Sequence, residues 1–228
     1  MTVKEFYTEM YGEKTHTPDN LGFLYKKLKK YAITRDEMCY MYAPNCERVL
    51  VVGCGNGELL FKLKEKCKWI FAIDIVDEQI KKLQNKIRDD PSTLLIVADA
   101  NERLDFEDNF FDAIVASAVL QQLFDPYFFF KECRRLLRDN GTLIINVPNV
   151  AFFPNRFRLL FGLLPITSNQ RFWDGGHLHY FTRNTLKQLF LDMGFEVSII
   201  THGGIFGNFR KIWGSLFCGD ILIVGIKK

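Results

Sequence analysis

The amino-acid sequence predicts an α/β chain: a doubly wound, mostly parallel sheet of seven strands with helices on both faces. Three observations lead there. Residues 48–58, Arg-Val-Leu-Val-Val-Gly-Cys-Gly-Asn-Gly-Glu, read as strand, glycine turn and helix. Short apolar, β-branched runs then recur and alternate with stretches of helical spacing, the pattern of βα units. The chain's 228 residues suffice for one such domain with a substantial core.

Residues 1–45 read as an N-terminal helical cap, with Leu21, Leu24, Tyr25, Leu28 and Tyr31 at helical spacing. Tyr11, His16 and Thr17 lie in a polar segment before it, and Lys26, Lys27, Lys29 and Lys30 make a solvated basic face. The main domain spans 46–228. Val49–Val52 is the first strand, Lys68–Ile75 the second, Leu94–Ala98 the third and Phe111–Ser117 the fourth. Asp77 is the expected N-cap before Ile80, Leu83 and Ile87. Asp125 and Pro126 supply N-cap and N1 for a helix bearing Phe129, Cys133, Leu136 and Leu137, which Gly141 ends before a fifth strand at Thr142–Val147. Thr182 caps a helix with Leu186, Leu189, Phe190 and Met193 inward, stopped by Gly194. Phe195–Thr201 and Asp220–Lys227 complete the strands.

The glycine turn limits the ligand. Gly53 and Gly55 let the backbone turn sharply and approach a ligand with no Cβ in the way, and the following helix N-terminus suits an anionic group. A dinucleotide fingerprint, G-x-G-x-x-G/A, asks for a small residue at 58. Glu58 stands there, and its carboxylate would repel a pyrophosphate; the third glycine, Gly57, comes one place early. Asp74 ends the second strand about twenty residues beyond the first glycine, where an acid can accept hydrogen bonds from vicinal ribose hydroxyls. Asp99 and Ala100 follow the third strand; Asp99 either accepts from an adenine amino group or caps its own loop, and the Ala100 backbone could serve a ring nitrogen.

Other chemistries are excluded. The net charge of +3 is too small to imply nucleic acid. The segment after strand four, Ala118-Val119-Leu120-Gln121-Gln122-Leu123, lacks the Asn/Asp-Pro-Pro-aromatic turn used on exocyclic amines, and no Pro-Cys offers a nucleophile. Six cysteines form no C-x-x-C pair and no metal spacing with histidine, so they read as reduced thiols of a cytoplasmic protein with no metal. Met1 leads into a mixed polar stretch without a signal-peptide pattern, and no apolar run reaches membrane-spanning length.

The series VLVVGCGNG, FAIDIVDEQI, IVADANE, FFDAIVASAVLQQLFDP and ECRRLLRDNGTLIINVPN resembles, in order and spacing, the core of the class I S-adenosylmethionine-dependent methyltransferases. The likeness covers roughly residues 46–150 and is nearest to the small-molecule group, ubiquinone-type O-methyltransferases and a methionine-biosynthesis-associated family among them. It implies a Rossmann-like sheet closed by an antiparallel last strand. S-adenosylmethionine would be the cofactor and S-adenosylhomocysteine the product. The implied contacts are Gly53, Cys54, Gly55 and Gly57 in the turn, Asp74 and Ile75 at the ribose, Asp99 and Ala100 at the adenine, and Ser117 at the methionine end. The implied reaction carries a methyl group to a small-molecule, lipid or glycan acceptor, at oxygen. The alternative is a non-catalytic cofactor-binding or partner protein on the same fold. Many relatives read Val-Leu-Glu-His after strand four; here Gln121 and Gln122 replace the ionisable pair.

The segment 149–181 reads as a substrate-cap insertion, longer than an ordinary βα loop. Its centre, 151–165, is apolar and aromatic with Arg156 and Arg158, and most of the 22 phenylalanines lie after residue 105, implying a greasy acceptor pocket. A peripheral membrane contact is the sharper alternative, but Pro154 and Pro165 bracket a stretch expected to be too short for an amphipathic helix. His177 and His179 follow. His177 is the candidate general base for a hydroxyl acceptor or, equally, an anchor for the cap; the resemblance adds a Gly-His segment at this place. His-x-His finds no third ligand for a metal.

Overall fold

The glycine turn at 53–57 needs a rigid strand before it, and the Val-rich run supplies one. In a computed structural model, which describes residues 2–12, 33–87, 90–168, 176–203 and 210–228, that run is β1, Cys46–Val52. The other strands are β2 (Cys67–Asp74), β3 (Thr93–Val97), β4 (Phe111–Ser117), β5 (Leu137–Pro148), β6 (Phe195–Gly203) and β7 (Asp220–Lys227). They form one sheet in the order β3-β2-β1-β4-β5-β7-β6. All neighbours are parallel except β7, which runs antiparallel to both β5 and β6. Strand order reverses between β1 and β4, so the crevice at their carboxyl ends is the position where open α/β sheets bind ligands.

Both sheet faces are covered, which is why the strands read as unbroken apolar runs. Leu50, Val52, Ile114, Ala116 and Ile145 face one core. Helices α5 (Pro126–Leu136) and α7 (Arg183–Asp192) cover it through Phe129, Phe130 and Phe190; Phe130 meets Phe190 edge-to-face at 4.9 Å between ring centres. Val49, Val51, Ala113, Val115 and Ile144 face the other core, under α2 (Arg35–Tyr42), α3 (Glu58–Leu63) and α4 (Asp77–Lys86). Helix α1 (Val3–Gly12) lies beyond the strand ends, with Phe6, Tyr7 and Met10 against Ile75 and Val76. Two elements follow β5 and β6: α6 (Phe153–Leu160) and α8 (Arg210–Phe217), the latter broken at Trp213.

The N-terminal segment is helical where it is described, in α1 and α2. The spacing at Leu21–Tyr31, His16, Thr17 and the lysine cluster lie outside the described residues, as does Trp173–Gly175. Three local expectations are corrected. Helix α5 ends at Leu136 rather than Gly141, because Leu137 already pairs with Phe111 on β4; Asn140 then turns in the left-handed region (φ 61°), and pairing resumes at Thr142 opposite Ala113. Asp77 is the first residue of α4, not its N-cap: Val76 holds that place, and its N–H donates to Asp74. The stretch between Pro154 and Pro165 does hold a helix, α6, because Pro154 sits within its first turn, where its fixed φ helps rather than breaks.

Candidate functional site

The glycines of the β1–α3 turn all take positive φ: Gly53 68°, Gly55 48° and Gly57 85°. Their surroundings differ. A Cβ on Gly53 would run into Val119, and one on Gly57 into Leu83, whereas one on Gly55 would meet nothing within 4 Å. Gly53 and Gly57 are therefore fixed by packing, and Gly55 leaves an open space over the turn. The N–H groups of Gly53 and Cys54 both donate to the Ile73 carbonyl, at 2.9 and 3.1 Å, locking β1 to the end of β2. Helix α3 is short, and the Glu58 N–H already finds the Asn56 side chain at 3.2 Å, so it contributes less to anion binding than its sequence position suggests.

Asp74 lies beneath this turn. One carboxylate oxygen accepts from the Gly55 N–H at 2.9 Å and the other from the Val76 N–H at 3.0 Å. Burial pushes its carboxyl above the ordinary carboxylate value, against the pull of the Val76, Gly55 and Ile75 N–H groups. Three N–H groups on about four acceptor directions leave room for a hydroxyl donor. Asp99 follows β3, and one of its oxygens accepts from both the backbone and side-chain N–H of Asn101, each at 2.8 Å. That is the loop-capping arrangement. Ala100 is buried beside it.

Ser117, at the end of β4, donates to Asp36 of α2 at 3.3 Å. Burial first, then repulsion from Glu58, raises the Asp36 carboxyl, opposed by Ser117, Lys62 and Arg35. Asp36, Glu58 and Asp74 thus make the crevice acidic, which suits a ligand carrying positive charge. Asp36 was missed in the sequence. Its signal was there: Thr34-Arg-Asp-Glu37 is a capping box, with both reciprocal hydrogen bonds formed, and it marks the helix start that delivers Asp36. Helix α1 lies within the expected N-terminal helical cap, with Phe6 and Met10 at helical spacing on one face. Tyr7 donates to the Gln122 carbonyl at 2.7 Å, so α1 bridges from the β2 end to the turn after β4.

His177 lies on the far side of that turn and is buried. Its Nδ1 pairs with the Thr167 hydroxyl at 2.6 Å, and its Nε2 lies 3.5 Å from the Gln121 side-chain nitrogen, which itself donates to the Ala118 carbonyl at 2.7 Å. The Gln121 carbonyl accepts from the N–H groups of Leu178 and His179. His177 is thereby built into the seam between the post-β4 turn and the insertion. His179 Nε2 sits 3.3 Å from the Phe124 carbonyl. Gly53, Cys54, Gly55, Gly57, Asp74, Ile75, Asp99, Ala100 and Ser117 lie at or just after the carboxyl ends of β1 to β4; His177 meets the turn after β4 at Gln121. Among the described residues no group of three His, Cys, Asp or Glu is placed to hold a metal.

Residues 50–145 match a family described as "Methyltransferase domain". The chain is 28% identical over 133 residues to a "Probable S-adenosylmethionine-dependent methyltransferase" of Mycobacterium tuberculosis, covering 57% of this chain and 47% of that protein. It is 34% identical over 113 residues to the mitochondrial ubiquinone biosynthesis O-methyltransferase of Bos taurus, covering 45% of this chain and 29% of that one. The chain thus spans less than half the length of these curated relatives. A crystal structure of an S-adenosylmethionine-dependent methyltransferase from Mesorhizobium loti superposes with a TM-score of 0.63 at 11% identity, over 85% of this chain and 98% of that one, a likeness of fold.

Proposed function

We propose that this chain is a class I S-adenosylmethionine-dependent methyltransferase and that it transfers the donor's methyl group to a hydroxyl of a small-molecule or lipid acceptor. The observation that carries the reading is the Gly55–Asp74 pair, an open space above a backbone N–H and a half-buried carboxylate below it. Asp74 would take the ribose hydroxyls, and Ile75 and Ala100 would flank the adenine. Asp36 and Glu58, beside Ser117, would face the donor's ammonium and sulfonium.

When bound, the donor supplies a methyl group on a good leaving group, so the protein's task is alignment and exclusion of water. Helix α1 would close the adenosine end. Residues 149–181 would cover the acceptor, with His177 holding that cover in place more than acting as a base, since both ring nitrogens already have neighbours. The name of the bovine relative, an O-methyltransferase of ubiquinone biosynthesis, supports oxygen as the accepting atom.

Calorimetry with S-adenosylmethionine and S-adenosylhomocysteine tests the donor site. Transfer of labelled methyl from the donor into a lipid extract, with O-methyl products identified by mass spectrometry, tests the reaction. No heat with either donor form rejects the proposal.

A further inference from the structure

Helix α6 breaks the pattern of the other helices. Apart from Asn155, its residues are not buried, and beyond its base the apolar side chains point outward: Phe157 is 59% exposed, Leu160 75% and Phe161 75%, with Leu159, Leu163, Leu164 and Ile166 also exposed. These side chains stand on both limbs of a turn at Gly162 (φ 70°), so they form a projecting tip rather than a groove. Scattered exposed apolar residues need no explanation; a contiguous run of this kind does.

Part of the tip's backbone is bonded within the tip itself. The Phe161 and Gly162 N–H groups donate back into α6, and the Leu163 N–H donates to the Arg158 carbonyl at 2.8 Å. The Ile166 N–H donates to the Asn155 side chain at 3.0 Å, and Arg158 Nε donates to the Leu164 carbonyl at 2.7 Å. Four of the tip's N–H groups are thus bonded from within while its apolar side chains stay outside, which lowers the cost of entering a poorly hydrating medium. The charge is one-sided. Residues 150–168 contain Arg156 and Arg158 and no Asp or Glu, and neither guanidinium is ion-paired among the described residues.

We propose that residues 153–166 are a membrane-contact element that seats this protein on an anionic bilayer, the tip entering the interfacial zone and Arg156 and Arg158 meeting lipid phosphates. An apolar tip with a basic collar is complementary to a lipid surface. The basic collar, with no acidic residue in 150–168, is what favours an anionic bilayer over an apolar protein groove. Just past the tip, Thr167 is bonded to His177, so docking would bring the mouth of the candidate site to the membrane. That the acceptor is therefore lipid-dissolved rests on the methyltransferase reading; the docking does not.

Co-flotation of the full chain with phosphatidylcholine vesicles, with and without phosphatidylglycerol, tests this, with donor calorimetry run on the same samples. Binding is expected to the anionic vesicles and to weaken with salt. Leu160→Asp with Phe161→Asp should lower partitioning at least about ten-fold. Arg156→Gln and Arg158→Gln should each lower it about five-fold, on anionic vesicles alone. Donor heat and melting temperature should be unchanged in the Leu160→Asp, Phe161→Asp variant. Absence of binding to anionic vesicles, or binding indifferent to that double substitution, overturns the proposal. So does a soluble dimer that the double substitution splits while vesicles capture nothing. Vesicle binding without donor heat upholds the docking and removes the lipid acceptor.

Discussion

Tyr7 and Gln122 stand 115 residues apart and are joined by one hydrogen bond, the phenol donating to the Gln122 carbonyl at 2.7 Å. Together with the packing of Phe6, Tyr7 and Met10 on Ile75 and Val76, it holds α1 beside the end of β2, where the proposed function puts the donor's adenosine. Tyr7→Phe keeps the ring and removes the bond, worth about 1 kcal/mol. Donor dissociation is expected to quicken about five-fold in stopped-flow, with hydrogen exchange rising in residues 3–12 and the global unfolding midpoint little moved.

The three glycines of the turn should separate folding from binding. Gly53→Ala drives a methyl into Val119 in a backbone conformation that already disfavours it, so it should lower the urea midpoint clearly. Gly55→Ala meets no neighbour and should cost only about 1–2 kcal/mol of left-handed strain. Its larger effect is expected on donor affinity in calorimetry, since the methyl occupies the open space.

Asp74→Ala strips the Gly55 and Val76 N–H groups of their side-chain acceptor, an expected loss of about 1–3 kcal/mol in stability, with donor affinity down at least about ten-fold. Both Asp74 and Asp36 have carboxyls raised by burial. Donor affinity, needing the ionised forms, should be lost as pH falls through those raised values. Fold stability responds with the opposite sign, because the folded state binds those protons more readily than the unfolded chain. Calorimetry and urea titration over the same acid range check both.

His202 gives a pH effect of its own. Burial, and secondarily Arg183, lowers its pKa to about 4, and its Nε2 is buried without a partner among the described residues. The unfolded chain, near 6.5, takes up the proton first. Its contribution is full above that value and lost as pH falls toward about 4, up to roughly 3 kcal/mol in all. The difference in unfolding free energy between wild type and His202→Gln should slope across this window and be flat above it.

For His177, the anchored geometry predicts that His177→Gln lowers turnover without removing a limb of the pH–rate profile. Loss of the acid limb would instead make it a base.

Much of this fold was legible because its strands are buried on both faces: Phe111–Ser117 and Asp220–Lys227 read as they stand. Caps that act locally were equally readable, as at Asp125 and Thr182. What escaped depends on distant partners. Nothing near Leu137 says that β4 will claim it from the helix, and nothing near Asp36 says that Ser117, 81 residues on, will meet it. The glycine turn and Asp74 were visible as a pattern, but the division of labour among the three glycines depends on Val119 and Leu83, which only the tertiary fold brings near.

Strand β7 lies between β5 and β6 yet follows both in the chain. During synthesis, β6 therefore has no seat until Asp220–Lys227 emerges, and the far third of the sheet must close late and together. A ribosome that stalls before Asp220 would release a chain whose β5 presents an unpaired, Leu- and Ile-rich border. Such borders recruit strands from other molecules. Faulty termination here would yield insoluble protein, not a weakened fold.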